Sequence, residues 1–192
     1  MKCYALVLAF ALIGCGQGER GPHRAPPAPI AEPQVANTAP AGEYTLDKAH
    51  SSLIIRVSHM GYSHFTARFE TWDAQLAFDP GTPQNSRINV SIDPLSIASD
   101  NPPPGFIDIM RGAEFLDAAQ FRTITFHSTG IERTGPNTAR ITGDLTLHGV
   151  TRPVSLEARF NGGYAGMALD PHARIGLSAH GAFNRSDFGM GY

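Results

Sequence analysis

Apolar and polar residues alternate in short runs along this chain, and the longest such stretch lies between Ile141 and Phe160. Ile141, Gly143, Leu145 and Leu147 alternate with Thr142, Asp144, Thr146 and His148. After a break, Val154, Leu156, Ala158 and Phe160 alternate with Ser155, Glu157, Arg159 and Asn161. A period of two sends successive side chains to opposite faces, so the stretch predicts two antiparallel strands, each with one apolar face. The break holds Gly149 and Pro153. Proline has no N–H to give to a ladder, so Pro153 is expected at the first position of its strand. A hairpin alone is marginal in water, and the other strands must cover its apolar face.

The same pattern recurs on both sides. Tyr44 to Leu46 reads as a short strand, with Asp47 to His50 as its turn. Leu53, Ile55, Val57 and His59 share a face, and Gly61 to Ser63 breaks the run. Trp72, Ala74, Leu76 and Phe78 share the next face, ending at Asp79-Pro80-Gly81, where proline presets φ and glycine tolerates φ > 0. Ile88, Val90 and Ile92 mark a further strand, and Ile124 and Phe126 head another that runs to about Ile131. Gly135-Pro136-Asn137 turns that strand into the Ile141 run. After a glycine-rich loop, Ile175, Leu177, Ala179 and Phe183 share a last face. Pro102 to Gly105 stops the sheet, and Ile107 to Ala119 reads as one or two helical turns lying over or beside it. The pattern predicts an all-β fold, an antiparallel β-barrel of about eight strands with a short helical segment.

Small residues stand among the large ones on the inward faces: Ala74, Gly143, Ala158, Ala179 and Gly181. They either leave room for a ligand or fit the taper of a filled barrel, and the pattern alone leaves both readings open.

Composition narrows the class. The chain has 192 residues, 42% hydrophobic and 17% charged, which suits one domain of ordinary size. Its formal net charge of −2 and the lack of a basic run remove the electrostatic footprint that a nucleic-acid partner needs. At the N-terminus, Lys2 precedes an apolar run from Tyr4 to Ile13, too short for a spanning helix of about 20 residues. It has the length of a signal-peptide core. It ends in Leu12-Ile13-Gly14-Cys15, which resembles the lipobox of bacterial lipoproteins. That resemblance implies a signal peptide over 1–14, cleavage before Cys15 and acylation of Cys15. Each buried CH₂ contributes about 0.8 kcal/mol, so several acyl chains would hold the protein on a membrane where one would not. Cys3 would leave with the signal peptide, so the mature chain would have no disulfide. Residues 15–42 carry six of the chain's prolines, Pro22, Pro26, Pro27, Pro29, Pro33 and Pro40, and read as a tether. The folded domain is expected over 43–192.

Several segments, taken in order, resemble the YceI-like family of bacterial periplasmic proteins. They are Tyr44-Thr45-Leu46-Asp47 with His50-Ser51, His59-Met60-Gly61-Tyr62-Ser63, and Phe115-Leu116-Asp117 with Ile124-Thr125-Phe126-His127-Ser128. Thr142 to Val154 and Asn184-Arg185-Ser186-Asp187-Phe188-Gly189 complete the set. The resemblance implies a lipocalin-like barrel that sequesters or carries a polyisoprenoid, an isoprenoid quinone or a similar long-chain amphiphile, without catalysis and without a cofactor beyond that ligand. The lining expected from it comes from Leu53, Ile55 and Val57, then Leu76, Phe78, Val90 and Ile92. Phe126, Leu145, Leu147, Leu156, Phe160 and Leu177 complete it. It further implies a periplasmic protein, lipid-anchored through Cys15, and Gly16 after Cys15 favours the outer membrane. A homodimer is compatible with the sequence.

Two departures from the family are visible. An Arg-Asp-x-His-Leu run is replaced by Phe106, Ile107, Asp108, Ile109 and Met110, which makes the entrance greasier. The family also continues into a closing strand beyond the Asp187-Phe188-Gly189 region, so either the chain is a fragment or the barrel carries an unpaired edge.

Other chemistries find less support. The eight histidines show no H-x-H or H-E-x-x-H spacing, and His127, His148 and His180 are expected as solvated side chains, so no metal site is read. No G-x-S-x-G is present. Asp47, His50 and Ser51 fit a turn better than a triad. Two alternatives stay open: a hydrolase of an amphiphilic lipid using Asp47 and His50, and an envelope interaction protein with a filled barrel.

Overall fold

The computed structural model describes residues 35–191. The expected signal peptide, Cys15 and most of the tether lie outside these residues. Among the described residues ten strands form in order: β1 (Gly42–Thr45), β2 (Leu53–His59), β3 (Ser63–Phe69), β4 (Trp72–Phe78), β5 (Arg87–Ile92), β6 (Ile97–Ala98), β7 (Ile124–Arg133), β8 (Thr138–Leu147), β9 (Val150–Tyr164) and β10 (Arg174–His180). One short helix, α1 (Phe106–Arg111), stands between β6 and β7.

Seven strands, in the order β1-β4-β5-β7-β8-β9-β10, make a nearly closed antiparallel barrel. The other three form a smaller sheet in the order β2-β3-β6. This is the order of β1-β4-β5, because β2, β3 and β6 continue those three strands past a bend. Only Glu70 and Thr71 separate β3 from β4, and the bend keeps bonds from Glu70 N to Ser96 O and from Asp93 N to Thr71 O. The expected barrel is therefore present, with seven strands and a folded-over extension.

The hairpin β8–β9 turns in two residues. His148 (φ 51°) and Gly149 (φ 73°) are both left-handed, the conformation a two-residue hairpin favours. Pro153 consequently sits fourth in β9, not first. Leu147 and Val150 flank the turn, so alternation makes Thr146–Thr151 and Asp144–Pro153 pairs that exchange no backbone bonds. The Thr146 and Thr151 hydroxyls meet at 2.8 Å, as such a close pair allows. The N side of Pro153 faces away from β8, where β10 has already ended, since its last pair is His180 with Glu157. The missing N–H therefore costs no ladder bond.

The core gathers at one end of the barrel. Ile92, Ile124, Phe126, Ile141, Leu145 and Leu147 from the strands are buried with Met110 of α1, Leu116, Phe188 and Met190. Helix α1 has the one to two turns expected and ends at its C-cap Gly112, and the chain from there to Phe121 makes turns that bury Leu116 and Ala118. The end of the expected tether is pinned to the barrel. Thr38 N donates to Gly163 O at 3.0 Å, Gly163 N donates to Ala36 O at 3.2 Å, and Ala39 is buried.

Candidate ligand-binding site

The inward residues of the barrel fall into two groups. Near the core end, Ile92, Phe126, Leu145 and Leu147, four of the expected lining residues, are buried in packed surroundings. Elsewhere Leu76, Phe78, Val90, Leu156 and Phe160 are only half-buried, and Leu177 is 45% exposed. Leu53, Ile55 and Val57 are also half-buried, with their alternation intact, but they stand on the extension. A close-packed interior would leave none of these open to solvent. Phe78 and Phe160 stack across the barrel with ring centroids 6.2 Å apart, and the Tyr44 ring meets Phe78 edge-on at 6.0 Å.

Gly143 and Gly181 do not thin the wall. A Cβ at Gly143 would lie 2.4 Å from Cζ of Phe126, so that ring already fills the space above the glycine. Leu156 Cδ2 covers Gly181 in the same way, at 2.7 Å from its Cβ position. The room these glycines offered is occupied by neighbouring side chains.

The barrel seam is held by side chains. Six antiparallel pairings separate β1 from β10, so the two edges run in the same direction, and among the described residues no backbone ladder joins them. Arg174 Nη1 donates to Asp47 Oδ2 at 2.6 Å, and Arg174 Nε donates to Asp170 Oδ2 at 2.7 Å, which also accepts from Tyr164 OH at 2.8 Å. The Arg174 hydrogen bond, helped by Tyr164, holds the Asp170 carboxyl at about 2. Asp47 is lowered too, chiefly by its hydrogen bond with His50 and next by Ala49 N. Ser51 Oγ donates to the Asp47 carbonyl and not to His50, so Asp47, His50 and Ser51 form a turn and no nucleophile is assembled. Beyond the ion pair, β10 is open on both faces, and Phe183 after it is 50% exposed.

Two polar residues escaped the sequence reading. Ala74, Val90, Phe126, Leu145 and Arg152 form one register row across five strands, which puts Arg152 on the inward face. Beginning the strand at Pro153 hid it, although Arg152 has the same parity as Val154 and Leu156. Arg152 Nε donates to Asp187 O at 3.3 Å. His148 is not a solvated side chain. Its Nδ1 donates to Phe188 O at 3.2 Å, its ring packs on Phe121, and Nε2 is buried without a partner among the described residues. A positive φ at a β-hairpin turn points its ring toward the C-terminal segment, which sequence alone does not signal. Among the described residues no group of three metal-binding side chains comes together.

Fold and site together define a nearly closed antiparallel barrel with several large apolar side chains only half-buried on its inward face and a seam bridged by ion pairs, the class to which lipocalin-like binding proteins belong. Residues 44–192 match the YceI-like domain, and the chain belongs to that family. It is 36% identical over 159 residues to a UPF0312 protein of Pseudomonas savastanoi pv. phaseolicola, covering 81% of this chain and 80% of that one. A UPF0312 protein of Pseudomonas putida is equally similar over the same span. Among solved structures, Burkholderia cenocepacia BcnA matches with a TM-score of 0.62 at 25% identity, over 76% of this chain and 85% of that one. The Campylobacter jejuni YceI protein matches with a TM-score of 0.61 at 28% identity, over 76% and 83%.

Proposed function

We propose that the protein binds a single long-chain amphiphile, a polyisoprenoid, an isoprenoid quinone or a similar lipid, inside the barrel. The observation that carries this reading is the half-buried state of large inward side chains on β4, β5 and β9, next to an exposed Leu177 on β10. An apolar chain laid against them removes that surface from water, and each Å² contributes about 25 cal/mol. A hydrocarbon chain can bind there through area alone, because its own atoms need no hydrogen-bond partners. The lipobox-like Leu12-Ile13-Gly14-Cys15, followed by Gly16, supports the further proposal of a periplasmic protein acylated at Cys15 and held to the outer membrane.

Native mass spectrometry of the mature protein, released gently from membranes, tests it. A population carrying one extra long-chain lipid mass, removable by organic solvent, is expected. Protein without lipid that also takes up no fluorescent isoprenoid analogue overturns the reading. The mass of the N-terminal peptide checks the anchor separately, with an acylated Cys15 as the expected outcome.

A further inference from the structure

Two of the segments that carry the family resemblance meet in space. Thr142 to Val154 contributes His148 and Arg152, and Asn184 to Gly189 contributes Asp187 and Phe188. Hydrogen bonds of 3.2 Å from His148 and 3.3 Å from Arg152 fix the second segment against the first. Between them lies a groove of about 250 Å³ lined by Arg152, Pro153, Val154, Phe183, Asp187 and Phe188.

Its composition is unusual for a barrel wall. Arg152 stands in the same inward row as Val90, Phe126 and Leu145, where an apolar residue would be expected. Nε is used on Asp187 O, while the two Nη atoms make no hydrogen bond and no ion pair among the described residues. A guanidinium so placed presents free donors beside Val154 and an exposed Phe183 ring. Arg is the side chain best suited to an oxyanion, since its fork of N–H donors fits a carboxylate or phosphate edge.

We propose that this groove holds the monoanionic head of the bound amphiphile, with Arg152 as its counter-charge. The inference rests on the binding reading above and adds the chemical class of the head. The chain leaves the groove along one face of β9, over Val154, Leu156, Ala158 and Phe160, which share the parity of Arg152. At about 3.3 Å per residue, the eight steps from Arg152 to Phe160 span about 26 Å, a path for an extended chain. Asp187 lines the same groove, so a second negative charge on the head meets repulsion. This favours a carboxylate or a phosphodiester over a pyrophosphate.

The test titrates the mature, delipidated protein with farnesoate, farnesol and acetate, in the parent and in Arg152→Gln and Arg152→Lys. Charge-assisted hydrogen bonds are about twice as strong as neutral ones, so the parent is expected to bind farnesoate about tenfold more tightly than farnesol. Arg152→Gln should erase that difference by weakening farnesoate about tenfold more than farnesol, Arg152→Lys should restore part of it, and acetate should not compete. Arg152 is an exposed residue at the strand end, and melting curves of both variants confirm their folding. If farnesoate and farnesol bind alike and Arg152→Gln changes neither, the head site falls and the barrel reading stands. Acetate competing as well as farnesoate makes this a free-anion site and overturns the proposal. Binding of neither isoprenoid removes both readings.

Discussion

Gly143→Ala probes how the interior is filled. A Cβ at this position would lie 2.4 Å from Cζ and 2.6 Å from Cε2 of Phe126, and 2.6 Å from the carbonyl oxygen of His127. Non-bonded carbons rest at about 3.5–4.0 Å, so the ring would have to retreat by more than about 1 Å. Phe126 is buried among Ile124, Ile141 and Leu145 and has nowhere to go. The carbonyl cannot yield either without disturbing the β7–β8 ladder, in which His127 pairs with Asp144 and Ser128 with Gly143. Overpacking costs about 1–3 kcal/mol, and a clash with backbone as well as ring places this variant near the upper end, about 3 kcal/mol. In a domain of this size each kcal/mol lowers Tm by about 2–4 °C, so Gly143→Ala is expected to melt about 6–12 °C below the parent. Thermal melts followed by circular dichroism, with urea midpoints beside them, measure this. Phe126→Leu combined with Gly143→Ala should destabilise by less than the sum of the single variants, because the ring clash is counted only once. A Gly143→Ala melt within about 2 °C of the parent, or strict additivity in the pair, would refute the packing argument and return Gly143 to the role of a gap in a tunnel wall.

Phe188 is 1% exposed and ties the C-terminal segment to the core, so Phe188→Ala should cost about 3–5 kcal/mol in urea unfolding. A loss below about 1 kcal/mol would mean that the segment does not close the barrel end. His148→Gly improves the turn, since glycine adopts a positive φ freely, but deletes the bond to Phe188 O and the Phe121 contact. We expect a net loss of about 1 kcal/mol by the same assay, and a gain would show that turn strain dominates. The seam should be acid-sensitive with a definite sign. The Asp170 carboxyl is depressed from 3.8 to about 2 in the folded protein, so protons bind the unfolded chain first, and its contribution is complete above about pH 4 and lost as pH falls towards 2. Asp170→Asn should therefore show a shallower loss of urea midpoint between pH 4 and pH 2 than the parent, and equal slopes would remove the ion pair from the account.

The strands and the class of fold were legible because alternation is a local property. Leu145, Leu147, Leu156 and Phe160 lie on the inward faces that the period of two assigns, and the Asp79-Pro80-Gly81 and Gly135-Pro136-Asn137 turns fall between strands as their residue types require. Alternation does not say which strands close on which. Leu53, Ile55 and Val57 keep their pattern but belong to the extension, because a bend at Glu70 and Thr71 leaves the pattern of β3 and β4 intact while turning the sheet.

Alone, the sequence determined an antiparallel all-β barrel, its approximate strand boundaries, its family motifs and the apolar character of its interior. These depend on neighbours one or two positions apart and on turn chemistry. Only the tertiary structure decided that Phe126 fills the space over Gly143, that Arg174 and Asp47 close the seam, and that Arg152 faces inward beside Asp187 and Phe188. Each of these joins residues far apart in the chain, and register is what brings them together. A shift of one residue would have turned Arg152 to the outer face of β9.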